Sequence, residues 1–483
     1  MSHPLRALSI DLGDDFPAGD LAAFLAETPK AKGKAKRKAK GKAEGAARGA
    51  ADGTVQCWTR RGEGHLGFGE AARFTVTGPE RFIEAEAWWK HLVLEAEVDD
   101  AVGHPGTGPL AFGSFAFSKT SRYLSRLIVP ELVLGIRDGR AWATQLSTDG
   151  TVPSEALLRA AVGRIASRLG QAANPAHDGA HPPAATAAHH GARSPSSAPA
   201  PAAHRHAALL PGALGQQRWT DAVAAGVRRI RAGELEKLVL ARDIVVEDGA
   251  GIPRAEVLRR LAAAYRDTWV YGVDGLVGAT PEMLIQVEGR TAQARVLAGT
   301  LDRRDALGQG DGYPARVLAG SAKQRHEHEI AIQSLTVALE PFSEAMNSHE
   351  EPFILELPNV FHLASDVKAE LADVEGHVPT SLALVNALHP TAAVCGTPTL
   401  VAGALIRELE ELDRGPYAGP VGWLDGAGNG EWGIALRGGV IETPTTMRLY
   451  AGCGIVEASQ PQAELAETWA KFRPMLEALG IER

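Results

Sequence analysis

Two low-complexity segments limit where this chain can form a hydrophobic core. The first, from Lys30 to Lys42, reads "KAKGKAKRKAKGK" and carries eight positive charges and no negative charge. The second runs from about residue 171 to 208 and is rich in Ala, Pro, Ser and His. Neither has enough large apolar residues to offset the entropy of ordering a chain. We therefore expect an N-terminal segment (1–49), a folded part (50–170), a disordered linker (171–211) and a longer folded part (212–483).

The basic tract allows two interpretations. Lysine-rich tracts can tether a protein to nucleic acid or to another anionic surface. No aromatic residues are interleaved for base stacking, which favours a solvated insertion without a partner. The second segment holds six of the 16 histidines, but their irregular spacing favours a flexible linker over a metal site.

The composition argues against several classes of protein. Hydrophobic residues make up 45% of the chain and charged residues 22%, as in globular proteins. We find no apolar run long enough for a membrane span, and the N-terminus lacks the pattern of a signal peptide. The three cysteines are far apart, which argues against disulfides or a thiolate metal site and predicts a reducing cytoplasm. Without the basic tract the formal charge of −8 would be −16, so an anionic ligand needs local cations or a metal ion.

Helical and strand-like patterns alternate in the longer part. Trp219, Val223, Val227 and Ile230 recur at helical spacing, while "KLVLARDIVV" and "TMRLYAGCGIV" are typical of strands. The shorter part contains the strand-like runs "AFGSFAFS" and "ELVLGIRDG". These patterns predict an α/β or α+β protein in which helices cover large sheets.

A lysine stands in the middle of the apolar segment "GELEKLVLAR". Gly233 is a natural end for the preceding helix, so a strand should follow at once, with Lys237 on the same face as Val239 and Ala241. A lysine on an edge strand that extends to water would explain this pattern. A desolvated amine that acts as a base would also explain it, although neutralising a free lysine at pH 7 costs about 4.6 kcal/mol.

Acidic side chains in three places have both a structural and a chemical interpretation. Glu282 follows a proline in "GATPE" and is either an exposed turn residue or a general acid with a raised pKa. A predicted helix over 321–339 carries Glu327, whose charge either suits the helix dipole or faces a ligand.

A second predicted helix, over 462–479, carries Glu464, Glu467 and Lys471 on one stripe. This stripe is either an exposed ladder of ion pairs or a set of carboxylates that bind a hard cation beside an anion-binding lysine. Oxygen ligands without thiols or organised histidines favour Mg²⁺.

Anion-binding groups are expected near the C-terminus. "GWLDGAGNGEWGIALRGG" predicts a turn and then a strand on which Gly433 and Arg437 share a face. Arg437 would then project over small residues, leaving space for a carboxylate. Gly452 and Gly454 in "YAGCGIV" would let backbone N–H groups approach an anion.

Ten motifs, taken in order, resemble those of the chorismate-utilising enzymes. They are "GELEKLVLAR", "GATPE", "LAGT", "KQRHEHE", "FHLAS", "LHPTAAVCG", "GWLDGAGNGEW", "IALRGG", "YAGCGIV" and "ELAETWAK". The resemblance is highly specific and covers most of residues 215–480. It implies an α+β fold of two large mixed, mainly antiparallel sheets packed together with helices outside. Residues 212–483 would be the chorismate-binding part and 50–170 a more variable part.

Within the family the motifs are most similar to those of isochorismate synthases. Lys237 stands where the aminating members usually have Gln, and "GNGEW" is not typical of salicylate synthases. The resemblance implies a Mg²⁺-dependent, reversible reaction in which water attacks C2 of chorismate and the C4 hydroxyl leaves. Salicylate synthase, which also eliminates pyruvate, is the first alternative, and aminodeoxychorismate or anthranilate synthase is the second.

A nucleic-acid-binding protein that uses the basic tract would explain none of the ten motifs. We therefore expect chorismate as the partner, with no membrane or nucleic acid, and a monomer in the cytoplasm. The pathway that the product would enter, to menaquinone, a catecholate siderophore or salicylate, stays open.

The resemblance also implies roles for individual residues. Lys237 resembles the general base that activates water, and Glu282 resembles the general acid that protonates the departing hydroxyl. Glu327 and Glu467 resemble the Mg²⁺ ligands, with Glu464 supporting them through water. The positions that resemble substrate-binding residues are Gly299, Thr300, His362, Arg437, Gly452, Gly454 and Lys471.

Overall fold

The computed structural model describes eight stretches of the chain: 3–13, 16, 20–25, 55–172, 207–310, 312–347, 351–373 and 376–481. The predicted insertion from Lys30 to Lys42 and residues 173–206 of the predicted linker lie outside them. The side chains of Thr300 and Glu327 also fall outside this description.

Strands and α-helices make up most of the described part. The strands are β1 Arg6–Asp11, β2 Gln56–Arg60, β3 Glu63–Phe68, β4 Ala72–Val76, β5 Glu97–Asp100, β6 Leu110–Ser114, β7 Ser125–Val129, β8 Leu132–Arg137, β9 Arg140–Ser147, β10 Ala208–Pro211, β11 Lys237–Glu247, β12 Trp269–Val273, β13 Leu276–Thr280, β14 Met283–Glu288, β15 Thr291–Asp302, β16 Ser343–Asn347, β17 Phe353–Glu356, β18 Val360–Leu371, β19 Gly396–Thr397, β20 Pro420–Asp425, β21 Gly430–Ile434, β22 Gly438–Thr443 and β23 Thr446–Ile455. The helices are α1 Arg81–Leu94, α2 Glu155–Ala172, α3 Gln216–Arg231, α4 Arg254–Ala264, α5 Tyr313–Leu318, α6 Ala322–Leu339, α7 Ser381–Leu388, α8 Thr399–Glu410 and α9 Pro461–Leu479.

The strands form two large sheets. The first has 13 strands in the order β10-β11-β23-β22-β13-β12-β2-β3-β8-β9-β1-β5, with β19 paired to β11. The second has 10 strands in the order β16-β18-β15-β14-β21-β20-β6-β7-β4, with β17 paired to β18. Among the described strands, β1 and β5 are parallel and every other pair is antiparallel. The predicted α+β fold with two mixed, mainly antiparallel sheets is confirmed.

Both folded parts of the chain contribute to both sheets. Strand β2 pairs with β12 in the first sheet, and β6 pairs with β20 in the second. Strands β1 and β10, which fall within the predicted N-terminal segment and the predicted linker, pair with β9 and β11. Backbone pairing satisfies the polar groups of these short strands, which composition alone cannot reveal. None of the described helices is long and apolar enough to cross a membrane.

Aromatic side chains fill the space between the two sheets. The larger core includes Trp58 and Tyr271 from the first sheet and Phe112 and Trp432 from the second, all fully buried. The indole N–H of Trp58 donates to Glu431 across the layers, at 2.8 Å. A second core lies under α4 and α9 on the first sheet. The close packing of these large side chains fixes the relative position of the sheets and of the chain segments that cross between them.

The predicted helix and strand around Lys237 are confirmed. Helix α3 ends with three arginines in its last turn, where cations suit the helix dipole. Gly233 then adopts a φ of +75°, a left-handed conformation that glycine tolerates, and β11 begins at Lys237. The predicted helices over 321–339 and 462–479 correspond to α6 and α9.

The predicted strand through Arg437 is wrong. Strand β21 ends at Ile434 and β22 begins at Gly438, and the two belong to different sheets. Arg437 lies in the connection with a left-handed φ of +49°. The alternation of small and large residues suggested one continuous strand, whereas the chain bends here to pass between the sheets.

Candidate active site

The chain crosses between the two sheets at two neighbouring points. Glu282 lies where β13 of the first sheet leads into β14 of the second, and Arg437 lies where β21 returns to β22. These strands pair with one another, β13 with β22 and β14 with β21. Backbone hydrogen bonds join the crossings, from Ile434 N–H to the Glu282 carbonyl (3.1 Å) and from Ala279 N–H to the Arg437 carbonyl (3.3 Å). The Glu282 carboxyl and the Arg437 guanidinium, about 155 residues apart in sequence, thus belong to neighbouring crossings.

A cavity of about 900 Å³, counting the part open to solvent, lies beside these crossings. Among the described residues it collects ten of the predicted site positions. They are Lys237, Glu282, Gly299, His362, Arg437, Gly452, Gly454, Glu464, Glu467 and Lys471.

Lys237 is buried, with 3% of its surface exposed. It begins β11, which pairs with β23 and, at Lys237 itself, with Thr397 of β19. An edge-strand lysine that extends to water is therefore the wrong interpretation. On β23, Gly452 and Gly454 lie opposite Ala241 and Val239, and both glycines line the cavity together with Val239.

Glu282 is also buried, with 6% of its surface exposed, so it is not an exposed turn residue. Burial raises the pKa of its carboxyl to about 7, while the positive charges of Lys237, Lys471 and Arg437 oppose the rise. Among the described residues only these cations, and no hydrogen bond, stabilise its ionised form. At neutral pH the carboxyl is therefore divided between acid and carboxylate, the condition for a proton donor.

A short hydrogen-bond chain orients the guanidinium of Arg437. His362 Nδ1 lies 2.9 Å from the Gly299 carbonyl oxygen, so Nδ1 carries the proton and donates. Nε2 then accepts from the Arg437 guanidinium, also at 2.9 Å. Burial, together with the charge of Arg437, lowers the pKa of His362 to about 3, so the ring stays neutral. Gly299 has a φ of +76°, and a Cβ there would meet the Gln324 side chain at 2.3 Å, so this position requires glycine.

Helix α9 supplies a second cation. The amine of Lys471 lies 2.6 Å from a carboxylate oxygen of Glu467, one turn earlier, and donates to the Gly452 carbonyl at 2.8 Å. Burial opposes its charge, but Glu467 holds the pKa of Lys471 above its ordinary value. The amine is thus a fixed positive charge at neutral pH.

The carboxylates of Glu464 and Glu467 lie together and offer hard oxygen ligands. A carboxylate oxygen of Glu464, a carboxylate oxygen of Glu467 and the sulfur of Cys453 all lie within 4.8 Å of one another. Burial raises the pKa of the Cys453 thiol well above its ordinary value, and the thiol donates to the Glu464 carbonyl oxygen at 3.3 Å. It therefore remains protonated, which leaves two carboxylates suited to Mg²⁺. Glu464 is buried, contrary to an exposed ladder of ion pairs.

The two remaining predicted residues lie on neighbouring elements. Thr300 is in β15 and stands opposite His362 of β18. Glu327 is in α6, which packs against β15. Their side chains lie outside the described part, so their predicted roles stay predictions.

Sequence reasoning did not identify several residues of the cavity wall, among them Arg414, Tyr417 and Tyr450. Arg414 donates to the carbonyl oxygens of Val394 (2.9 Å) and Val239 (2.8 Å), which ties two sides of the wall together. The rings of Tyr417 and Tyr450 stack with their centroids 5.1 Å apart. Glu410, four residues before Arg414, is a sequence signal for an ion pair, but a weak one, because such pairs usually lie on the surface.

Known proteins are similar to this chain in sequence and in fold. A sequence profile of the family described as "Chorismate binding enzyme" matches residues 57–480. The isochorismate synthase DhbC of Bacillus subtilis is 38% identical over 275 residues, 55% of this chain and 68% of the relative. The isochorismate synthase MenF of the same organism is 28% identical over 432 residues and 86% of each chain. The solved structure of MenF, the menaquinone-specific isochorismate synthase of Escherichia coli, superimposes with a TM-score of 0.67 at 20% identity, covering 99% of this chain and 95% of that one.

Proposed function

Because this chain belongs to the chorismate-binding enzyme family, we propose that it catalyses the reversible conversion of chorismate to isochorismate. One observation carries the proposal above all: a buried lysine and a buried acid with a pKa near 7 line one cavity with two anion-binding cations. Relatives named isochorismate synthase support the choice of reaction within the family.

The charges of the cavity suit a dicarboxylic substrate. The Arg437 guanidinium and the Lys471 amine are separate cations held by His362 and by Glu467. A carboxylate that enters such a water-poor site is stabilised only where cations already face it. We infer that these two groups bind the carboxylates of chorismate. The acidic remainder of the protein makes such local cations necessary.

Lys237 and Glu282 would move the protons. The Lys237 amine, after it has released its own proton to solvent, takes a proton from water as the water oxygen bonds to C2. The ring double bonds shift, and the C4–oxygen bond breaks as Glu282 gives its proton to the departing hydroxyl. Water is consumed and released, so substrate and product are isomers. The two groups end with exchanged protonation states and return to their starting states through solvent.

We propose that Glu467 of α9 and Glu327 of α6 hold Mg²⁺, with Glu464 of α9 supporting them through water. The metal ion would supply positive charge that stabilises a substrate carboxylate. The donor set fits, since the carboxylates of Glu464 and Glu467 lie together on α9 and the neighbouring thiol of Cys453 stays protonated.

Three buried free thiols also agree with the proposed cytoplasmic location.

Product analysis tests the proposed function directly. Purified protein is incubated with chorismate and Mg²⁺, and the products are identified by NMR. Isochorismate in equilibrium with chorismate is the expected result. Salicylate with pyruvate would instead indicate a salicylate synthase, and amination in the presence of ammonium would indicate the aminating branch. Unchanged chorismate would contradict the proposal.

A further inference from the structure

A second cleft lies between helix α1, the β6–β7 connection and helix α8, and we name it the α1–α8 cleft. It measures about 1570 Å³, counting the part open to solvent. Arg414 belongs to its wall and to the wall of the active-site cavity, so the two spaces are neighbours. None of the residues given a role in the proposed reaction lines this cleft.

A buried histidine in the α1–α8 cleft has an unused acceptor. His389 is 8% exposed, and its Nε2 lies 3.0 Å from the Phe117 carbonyl oxygen, so Nε2 carries the proton and donates. Nδ1 is then an acceptor, and it has no hydrogen-bond partner among the described residues. Burial lowers the pKa of His389 to about 3, which keeps Nδ1 unprotonated. Buried polar atoms are normally satisfied, so a hydroxyl donor from a ligand fits this position.

A buried guanidinium in the same cleft has no anionic partner. Arg81 is 5% exposed, and its N–H groups reach only the carbonyls of Gly78, Ala116 and Phe117, at 3.2 to 3.4 Å. In the described part of the chain no carboxylate forms an ion pair with it. Burial of this uncompensated charge lowers the pKa of Arg81 to about 10. A bound anion would compensate the charge.

The rim of the cleft adds further positive charge. Lys119, Arg122 and Arg407 line it and are exposed. The described lining holds five Arg and Lys side chains and two acidic ones. Asp413 accepts from the Ser121 hydroxyl at 2.7 Å, and Glu411 pairs with Arg218 at 2.6 Å. The net field at the mouth therefore favours an anion, although the protein as a whole is acidic.

We propose that the α1–α8 cleft is a second binding site, for a small acid that combines a carboxylate, a hydroxyl group and an apolar ring. Arg81 and Arg407 pair with the carboxylate, and the hydroxyl donates to His389 Nδ1. The ring packs among the apolar side chains of the lining, which include Phe82, Phe117, Ile406 and Leu412. Such mixed pockets with a few polar groups are typical small-molecule sites. The inference does not depend on the proposed reaction.

The chain offers a helix position from which a larger side chain can extend into the cleft. Gly403 lines the cleft from α8, and a Cβ there would meet only the Cys395 sulfur, at an ordinary 3.9 Å. Gly403→Leu therefore occupies the space and removes a glycine from a helix interior, which favours the helix. Ala404→Leu, on the exposed side of the same helix, is the matched control.

Isothermal titration calorimetry of the full chain with salicylate tests the proposal, with benzoate and phenol as probes that lack the hydroxyl or the carboxylate. We expect salicylate to bind the wild type and Ala404→Leu alike, and Gly403→Leu to lose this binding event. Arg407→Glu should weaken it about tenfold, as should omission of either polar group of the probe, because each removes one hydrogen bond or ion pair. An acid bound in the active-site cavity would still bind Gly403→Leu, so the difference isolates the cleft. No binding of salicylate to the wild type, or equal binding to Gly403→Leu, would overturn the proposal.

Discussion

Two buried pairs of acid and base lie close together in this molecule and differ in how their charges are satisfied. Arg414 donates to Glu410 at 2.9 and 2.5 Å, and Glu410 also accepts from the Ala241 N–H at 2.6 Å. Lys237 and Glu282, by contrast, are buried at the wall of a cavity, and within the described residues no hydrogen bond stabilises the Glu282 carboxylate.

The difference separates a pair that holds the fold from a pair that can react. A buried charge with all its partners in place fixes the backbone around it, and here Arg414 ties β11 to the chain near Val394. Burial raises the pKa of both acids, but the Arg414 cation and hydrogen bonds hold Glu410 in place, whereas Glu282 lines the cavity and stays available to a substrate. Substitution should therefore affect stability at the first pair and catalysis at the second.

The largest expected effect is on catalysis, at Lys237. Lys237→Gln removes the proposed base while keeping a polar side chain of similar length, so isochorismate formation should decrease about 10²- to 10⁴-fold. Steady-state kinetics with chorismate measure this, and circular dichroism shows whether the variant is folded. Lys368→Gln, on an exposed position of β18, is the control. Near-normal activity of folded Lys237→Gln would remove the lysine from the mechanism.

Glu282→Gln should decrease isochorismate formation about 10²- to 10³-fold, somewhat less than Lys237→Gln. The substitution removes the proton donor but keeps the shape of the side chain. The pKa of Glu282 is raised to about 7, so the protonated, active form is complete well below that pH and is lost as the pH rises through it. The wild-type kcat/KM should thus decrease on the alkaline side of about pH 7.

The residual activity of Glu282→Gln should lack this alkaline decrease, and Glu247→Gln, at an exposed end of β11, should keep it. A pH profile of kcat/KM for the three proteins makes the comparison. An unchanged alkaline limb in Glu282→Gln would assign the titration to another group.

Substitution in the pair of Glu410 and Arg414 is expected to lower the stability of the fold. Arg414→Met leaves Glu410 buried without its cation and should lower the free energy of unfolding by about 3–5 kcal/mol. The double variant Glu410→Leu/Arg414→Met removes both charges and should regain most of that loss. Urea denaturation of the three proteins measures the difference. A double variant no more stable than Arg414→Met would show that the pair itself does not hold the wall.

Substrate binding should respond more moderately at Arg437. Arg437→Lys keeps the charge but loses the planar fork that meets His362, so KM for chorismate should rise about tenfold with a smaller change in kcat. Arg159→Lys, a half-exposed arginine of α2, is the control. A large decrease in kcat at unchanged KM would instead place Arg437 in the chemical step.

The smallest effect is expected from deleting the basic tract from Lys30 to Lys42. It contributes none of the residues of either buried pair, so kcat/KM should stay the same. Binding of the full chain to duplex DNA at low and high salt completes the test. Salt-dependent binding that disappears with the tract would support the nucleic-acid tether.

The helices and strands that carry the site could largely be predicted from the sequence. Periodicity and capping residues are local properties, so the sequence predicts α3, β11, α6 and α9 close to their actual bounds. The family resemblance added the two-sheet fold and twelve site positions, ten of which line one cavity. For Lys237 and Glu282 the sequence allows both an exposed and a buried position, because burial depends on elements that are distant in the chain.

Tertiary structure alone decided where the chain crosses between the sheets. The alternating residues near Arg437 predict a continuous strand, and only the pairing of β13 with β22 and of β14 with β21 shows that the chain must bend there. The same two crossings bring Glu282 and Arg437 together and exclude water from the Glu282 carboxyl, which raises its pKa. Sequence determines which groups are present, whereas desolvation and charge compensation, which set their chemistry, arise only when distant segments pack around them.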